Sequence, residues 1–195
     1  MKKVYGVGIN DAPFMVTRII NGKKKLHPAY NAWTNMLARC YLMSFKVNNP
    51  AYDGCFVCEE WLSFINFHSW WSINYVEGWH LDKDLLVTGN KEYGPNTCIY
   101  IPRYINAIHL SRDSVRGDYP VGVTFHQETG KFRAKISKSS GCSGHLGLYM
   151  NPIDAHKAWY EKKMSQVMDL KDVCDSINPH LHDGLISKIN SMREF

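Results

Sequence analysis

Long hydrophobic runs are missing from this 195-residue chain. No stretch of about 18 apolar residues occurs, which excludes a membrane-crossing helix on sequence grounds. The opening MKKVYGVGIN has two lysines but not the roughly 7–15-residue apolar segment of a secretory signal, so a cytoplasmic protein is expected. A second close cysteine pair is missing too. Cys55 and Cys58 stand as CFVC, while Cys40, Cys98, Cys142 and Cys174 are single and mostly in apolar contexts. Structural zinc usually needs two close pairs, so reduced thiols are expected here and zinc is not.

What is present is the composition of a packed protein, 45% hydrophobic and 13% aromatic. A formal charge of +5 suits a polyanionic partner without requiring one. The length allows one large domain or two small ones, with enough chain for a core.

Residues 1–27 read as an arm with a short β-like start and a basic run, NGKKKLH, expected as a solvated turn or a phosphate contact. From Pro28, the stretch PAYNAWTNMLARCYLM sets Tyr30, Trp33, Leu37 and Tyr41 at helical spacing. A second helix is expected through EEWLSFINFHSWW, with Trp61, Leu62, Ile65, His68 and Trp70 as its apolar stripe and Glu59 and Glu60 at its start. HLDKDLL alternates like a strand, VTGNKEYGPN has the residues of a loop, and CIYI leads into a helix PRYINAIHL. The polar SRDSVRGDYP, 111–120, is the expected linker.

After the linker, VGVTFHQ and KFRAKIS form a hairpin signal around ETG, and GHLGLYM supplies a third strand. Asn151 caps a helix, PIDAHKAWYEKKMSQVM, whose expected buried face is Ile153, His156, Trp159, Tyr160, Met164 and Val167. The final segment reads as one or two short helices broken at Asn178-Pro179. The expected class is α+β: a helical and ββα module over 1–110, a three-stranded antiparallel sheet with one helix over 119–168, and a helical tail over 169–195.

Strand parity sorts the second module chemically. Phe132, Ala134 and Ile136 face one way, while Lys131, Arg133, Lys135 and Ser137 face the other. Thr124 and His126 alternate against Val123 and Phe125. A cationic outer face of this kind can meet phosphates or guanine edges in a major groove. It is also the ordinary solvated side of a half-buried sheet.

The residues Gly122-Val123, Gly130-Lys131-Phe132, Ala134, Ile136, Leu146-Gly147, Tyr149, Asp154-Ala155 and Ala158-Trp159-Tyr160 resemble, in order and spacing, the APETALA2-type DNA-binding domain. The resemblance covers about residues 119–165. It implies double-stranded DNA as partner, with the sheet in the major groove and contacts from Thr124, His126, Arg133, Lys135, Ser137 and His145.

Upstream, YNAWTNMLARCY, VCEEWLSFINF, LDKD, GNKEYGPNTC and IPRYIN resemble the phage-encoded HNH endonucleases of the homing type over about residues 28–110. In those proteins an APETALA2-type domain commonly follows the nuclease, and the pairing implies a phage or prophage origin. An HNH site uses a histidine base at a strand end, an acidic neighbour and a helix residue holding one divalent metal, and a loop asparagine that orients the histidine. By resemblance Asp82 falls on the acidic position and Asn90 on the loop asparagine. Lys83 stands in place of the histidine, and Thr97 where an asparagine is usual.

Those departures alter the chemistry. A lysine titrating near its ordinary pKa of about 10.4 cannot take a proton from water at neutral pH. Threonine is a weaker Mg²⁺ ligand than a carboxylate. Asp84, two residues along an ideal strand from Asp82, offers a second carboxylate on the same face. His80 is a rival base, and a phosphate clamp is the simplest role for Lys83. Three functions stay open: a DNA-binding protein with cleavage reduced or lost, an active Mg²⁺-dependent endonuclease or nickase, and an effector that binds a host protein.

Overall fold

The protein is described by a computed structural model covering residues 3–109, 118–137 and 143–195, with Ser137 and Ser143 described through their backbone alone. Residues 111–117 of the expected linker and Cys142 lie outside the described residues. The architecture is mixed α+β, with seven α-helices and small sheets among the described residues. No described helix is long and apolar enough to cross a membrane. The chain divides into two compact units, Met1–Tyr100 and Ile101–Phe195.

The first unit opens with a hairpin where the sequence suggested a solvated turn. Strands β1 (Thr17–Ile20) and β2 (Lys23–Leu26) pair antiparallel. Asn21 and Gly22 both have positive φ, 51° and 71°, as a type I′ turn requires. Helix α1 (Pro28–Tyr41) comes next, with the His27 ring accepting from the Ala29 amide. Trp33 and Leu37 are buried on its inner face. The neighbouring approach is close enough that a Cβ on Gly8 would meet Leu37 at 2.5 Å. A short helix α2 (Met43–Asn48) and a single 3-10 turn lead to strand β3 (Phe56–Val57).

The helix expected from Glu59 starts later. Glu59–Leu62 form a 3-10 turn, and Ser63 then caps α3 (Phe64–Asn74) by accepting from the Asn66 amide. The rotation changes the buried face. Phe64 and Phe67 are buried, whereas Ile65, His68 and Trp70 are half-buried, so the predicted stripe is corrected by about one residue. Trp61 remains a core residue, its carbonyl accepting from the Trp33 indole at 2.7 Å.

Strand β4 (His80–Asp82) pairs with β6 (Ile99–Ile101), and β5 (Glu92–Tyr93) runs parallel to β3. Cys40, Cys55 and Cys98 sit in the core with Trp33, Phe64 and Tyr93 or close beside them. Burial pushes the Cys40 and Cys98 thiols up to about 12, which keeps both protonated.

In the second unit, α4 (Arg103–His109) begins just after Pro102, so this helix groups with the sheet unit rather than with the module expected to end at 110. Strands β7 (Val123–His126), β8 (Lys131–Ser137) and β9 (Ser143–Tyr149) form an antiparallel sheet in that order. Helix α5 (Pro152–Met168) lies against it, and Asn151 caps α5 by accepting from the Asp154 amide at 2.8 Å. Gly122, at φ 82°, lets the helix come close: a Cβ there would stand 2.1 Å from the Trp159 ring. Helices α6 (Lys171–Ile177) and α7 (Leu181–Asn190) complete the chain, separated at Asn178-Pro179 as the sequence suggested.

The buried face of α5 is less apolar than its pattern implied. Ala155, His156, Trp159, Lys163 and Val167 are buried, while Ile153 is exposed and Tyr160 and Met164 are half-buried. Two polar groups in that row are matched to acceptors or donors. His156 Nδ1 lies 2.8 Å from the Val121 carbonyl and its Nε2 accepts from the Glu194 amide, which fixes the neutral tautomer. Lys163 Nζ donates to the Ile108 carbonyl at 2.7 Å, near the C-terminal end of α4. Burial lowers the Lys163 pKa to about 8.

Candidate functional site

The outer face of the β7–β9 sheet is built by pairing. Thr124 stands opposite Arg133 and His126 opposite Lys131, so parity carries these four onto one side. On the other side Val123, Ala134 and Ile136 are buried beneath α5. Phe125 departs from the inward set expected with Val123. It is 44% exposed and packs edge-on to Phe132, one pair from the turn that closes the hairpin.

Between β8 and β9 the register shifts at Ala134/Lys135. Ala134 pairs with Gly147, but Lys135 pairs with His145, leaving Leu146 as an extra residue on β9. Leu146 packs on the core with Val123, Ala134 and Ala155, and His145 is turned to the solvent side. Gly147, with φ 152°, accommodates the kink where a Cβ would lie 3.0 Å from the Tyr149 ring.

The result is an open groove of about 390 Å³ lined by Arg133, Lys135, His145 and Leu148. Three of its four walls are residues singled out from the sequence. Leu148 was not, because plain alternation through GHLGLYM gives no sign of the bulge. Among the described residues no ion pair engages Lys131, Arg133 or Lys135. The C-terminal residues are packed elsewhere, Phe195 resting on His156 and Tyr160. Thr124 is exposed. His126 is more engaged: its Nδ1 lies 2.8 Å from Thr129 Oγ1, and Nε2 lies 3.7 Å from Glu128. The Ser137 side chain lies outside the described residues.

The Asp82–Asn90 loop is organised quite differently. Strand β4 ends at Asp82 because that side chain caps the next turn of the chain. Asp82 Oδ1 accepts from the amides of Asp84 and Leu85, at 2.8 and 2.9 Å. The seven-residue strand read from HLDKDLL is therefore cut to three, and the inference that Asp82 and Asp84 share a strand face fails with it. Lys83 is buried; its ammonium pairs with Asp84 and donates to the Asn90 carbonyl at 3.0 Å. Asn90 answers by donating from Nδ2 to the Lys83 and Glu92 carbonyls, each at 2.7 Å. The structure thus brings Lys83 and Asn90 together.

Their chemistry is not that of a base. Burial draws the Lys83 pKa down, but the hydrogen bond and charge of Asp84, helped by Cys55 and Asp82, outweigh it and hold the pKa above the ordinary lysine value. The ammonium stays charged and cannot accept a proton from water. Thr97 spends its hydroxyl on the Glu92 and Gly94 carbonyls, at 3.0 and 3.3 Å. With Asp84 already paired to a cation and Thr97 turned to backbone, the donor set does not fit a divalent metal. No group of three His, Cys, Asp or Glu side chains is placed to hold one among the described residues. His80 is exposed on β4.

No family model, curated protein or solved structure matches the chain.

Proposed function

We propose that this chain is a double-stranded-DNA-binding protein of the HNH-plus-APETALA2 kind in which cleavage is reduced or lost. One observation carries the reading: the groove lined by Arg133, Lys135 and His145 on the sheet face opposite α5, its arginine and lysine outside every ion pair among the described residues. Two fixed cations on a three-stranded ribbon supply phosphate contacts, and an arginine can also read a guanine edge. Thr124 and Lys131 extend the same face. The charged, hydrogen-bonded Lys83 supports loss of the hydrolytic step, since it leaves that position with an electrostatic role only.

Two measurements on the whole protein test this. Anisotropy titrations of a duplex across about 50–200 mM salt should give affinity that falls steeply, with a slope of about −0.9 for each phosphate neutralised. Supercoiled plasmid with Mg²⁺ or Mn²⁺ should remain unnicked. Nicking that disappears in Asp82→Asn, which keeps the Oδ1 acceptor and removes the charge, would establish a variant nuclease instead. Binding that is absent or indifferent to salt would point to a host protein as the partner.

A further inference from the structure

The β1–β2 hairpin is a cost to the fold unless something meets it. None of its residues is buried, and Ile19 is 79% exposed. Two-stranded ribbons of this length are marginally stable alone. This one is anchored at its base by the His27 amide donating to the Val16 carbonyl at 2.8 Å.

Its charges make the cost larger. The register sets Arg18 directly opposite Lys25 and Ile20 opposite Lys23. Arg18, Ile20, Lys23 and Lys25 therefore share one face, with Thr17, Ile19, Lys24 and Leu26 on the other. Like charges directly opposite each other across a strand pair are destabilising. The ribbon itself contains no acid, and none of the ion pairs among the described residues reaches it. The positive potential extends to the base of the hairpin: burial, then His68, then Arg18 hold the His27 pKa below its usual value.

We propose that the β1–β2 hairpin is a second DNA contact, in which Arg18, Lys23 and Lys25 grip the phosphate backbone of a duplex. This rests on the reading that the chain binds DNA, but uses a different unit and different residues. A polyanion relieves the Arg18–Lys25 repulsion and neutralises three cations at once. A lipid surface fits less well. Of the exposed apolar side chains, Ile19 and Leu26 lie opposite those three cations and Ile20 beside them, so a bilayer accepting the more apolar face would turn most of the charge away from its headgroups.

The test is a duplex titration of the full-length protein over a salt series, comparing wild type with Arg18→Gln/Lys23→Gln/Lys25→Gln. The substitutions are on an exposed face and remove a like-charge pair, so the melting temperature should not fall. Affinity at 0.1 M salt should drop by at least about tenfold, and the salt slope should flatten by up to about 2.7, three contacts' worth. Ile19→Thr, on the opposite face, should bind within twofold of wild type. A triple variant with wild-type affinity and slope overturns the hairpin contact while Arg133→Ala/Lys135→Ala still reports on the sheet. Failure of the wild type to bind any duplex removes both readings. Hairpin-dependent binding to phosphatidylserine vesicles without duplex binding overturns this one in favour of lipid.

Discussion

In the first unit a lysine and two aspartates close on one another and on the backbone around them. In the second, an arginine, a lysine and a histidine stand over an open groove, and among the described residues no acid pairs with the arginine or the lysine. Both sets arise from short, charged, strand-like sequences, DKD and RAK, of which only the first carries its own acids. What the backbone does next widens the difference. At Asp82 the chain turns, so neighbouring side chains and amides come within hydrogen-bond reach of each other. Along β8 it stays extended, and alternate side chains are carried apart on one face. A charged cluster that satisfies itself contributes to the fold, while one left unmatched is available to a partner.

The comparison can be broken most forcefully at Gly122. Gly122→Val adds a side chain where the Trp159 ring stands, at a positive φ, and should cost about 4 kcal/mol in denaturant unfolding and abolish DNA binding with it. Arg133→Ala/Lys135→Ala should leave unfolding unchanged yet weaken duplex binding about 60-fold at 0.1 M salt, with a salt slope shallower by about 1.8. Lys83→Met should do the reverse. It strands Asp84 and the Asn90 carbonyl, so unfolding should become easier by about 2 kcal/mol while the affinity of the remaining folded protein for duplex stays the same. Loss of binding in Lys83→Met without loss of stability would show that the two regions had been assigned the wrong way round.

The smallest effect is a pH dependence. Folding lowers the Lys163 pKa to about 8, so above that pH the unfolded chain holds more protons and stability gains from rising pH. The gain runs from about pH 8 to the ordinary lysine value near 10.4. It should amount to about 1 kcal/mol between pH 8 and 9, read as the difference between wild type and Lys163→Met. Lys83 acts in the opposite sense: its raised pKa adds stability that is present below the ordinary value and is lost as pH climbs through the folded one. The difference curve isolates Lys163 from it.

The sequence disclosed features whose physics is local. Asn151 with Pro152 placed the start of α5, and Asn178-Pro179 the break between α6 and α7. The period of two in KFRAKIS was enough by itself to sort Arg133 and Lys135 from Ala134 and Ile136. Features that depend on competition were less visible. HLDKDLL alternates over seven residues, but an aspartate can accept from amides two and three positions ahead, and that option ended the strand at Asp82. Glu59 and Glu60 look like a helix start, yet Ser63 offered a better cap four residues later. The Asn21-Gly22 turn signal was present in the first hairpin, but the lysine run beside it favoured a solvated loop. As for the sites, Lys83 and Asn90 were singled out only through the resemblance, and the Leu148 wall of the groove was not foreseen at all, because it needs the bulge.

That bulge makes the chemical character of the sheet a question of counting. Were the same sequence to pair without it, Leu146 would stand opposite Lys135 on the open face, and His145 would fall opposite Ile136 on the side facing α5. Removing Leu146 itself would instead close the ladder with His145 still opposite Lys135, and would sacrifice only the leucine's packing on Val123, Ala134 and Ala155. One extra residue thus keeps a histidine outside and a leucine inside, which no substitution at either position could do.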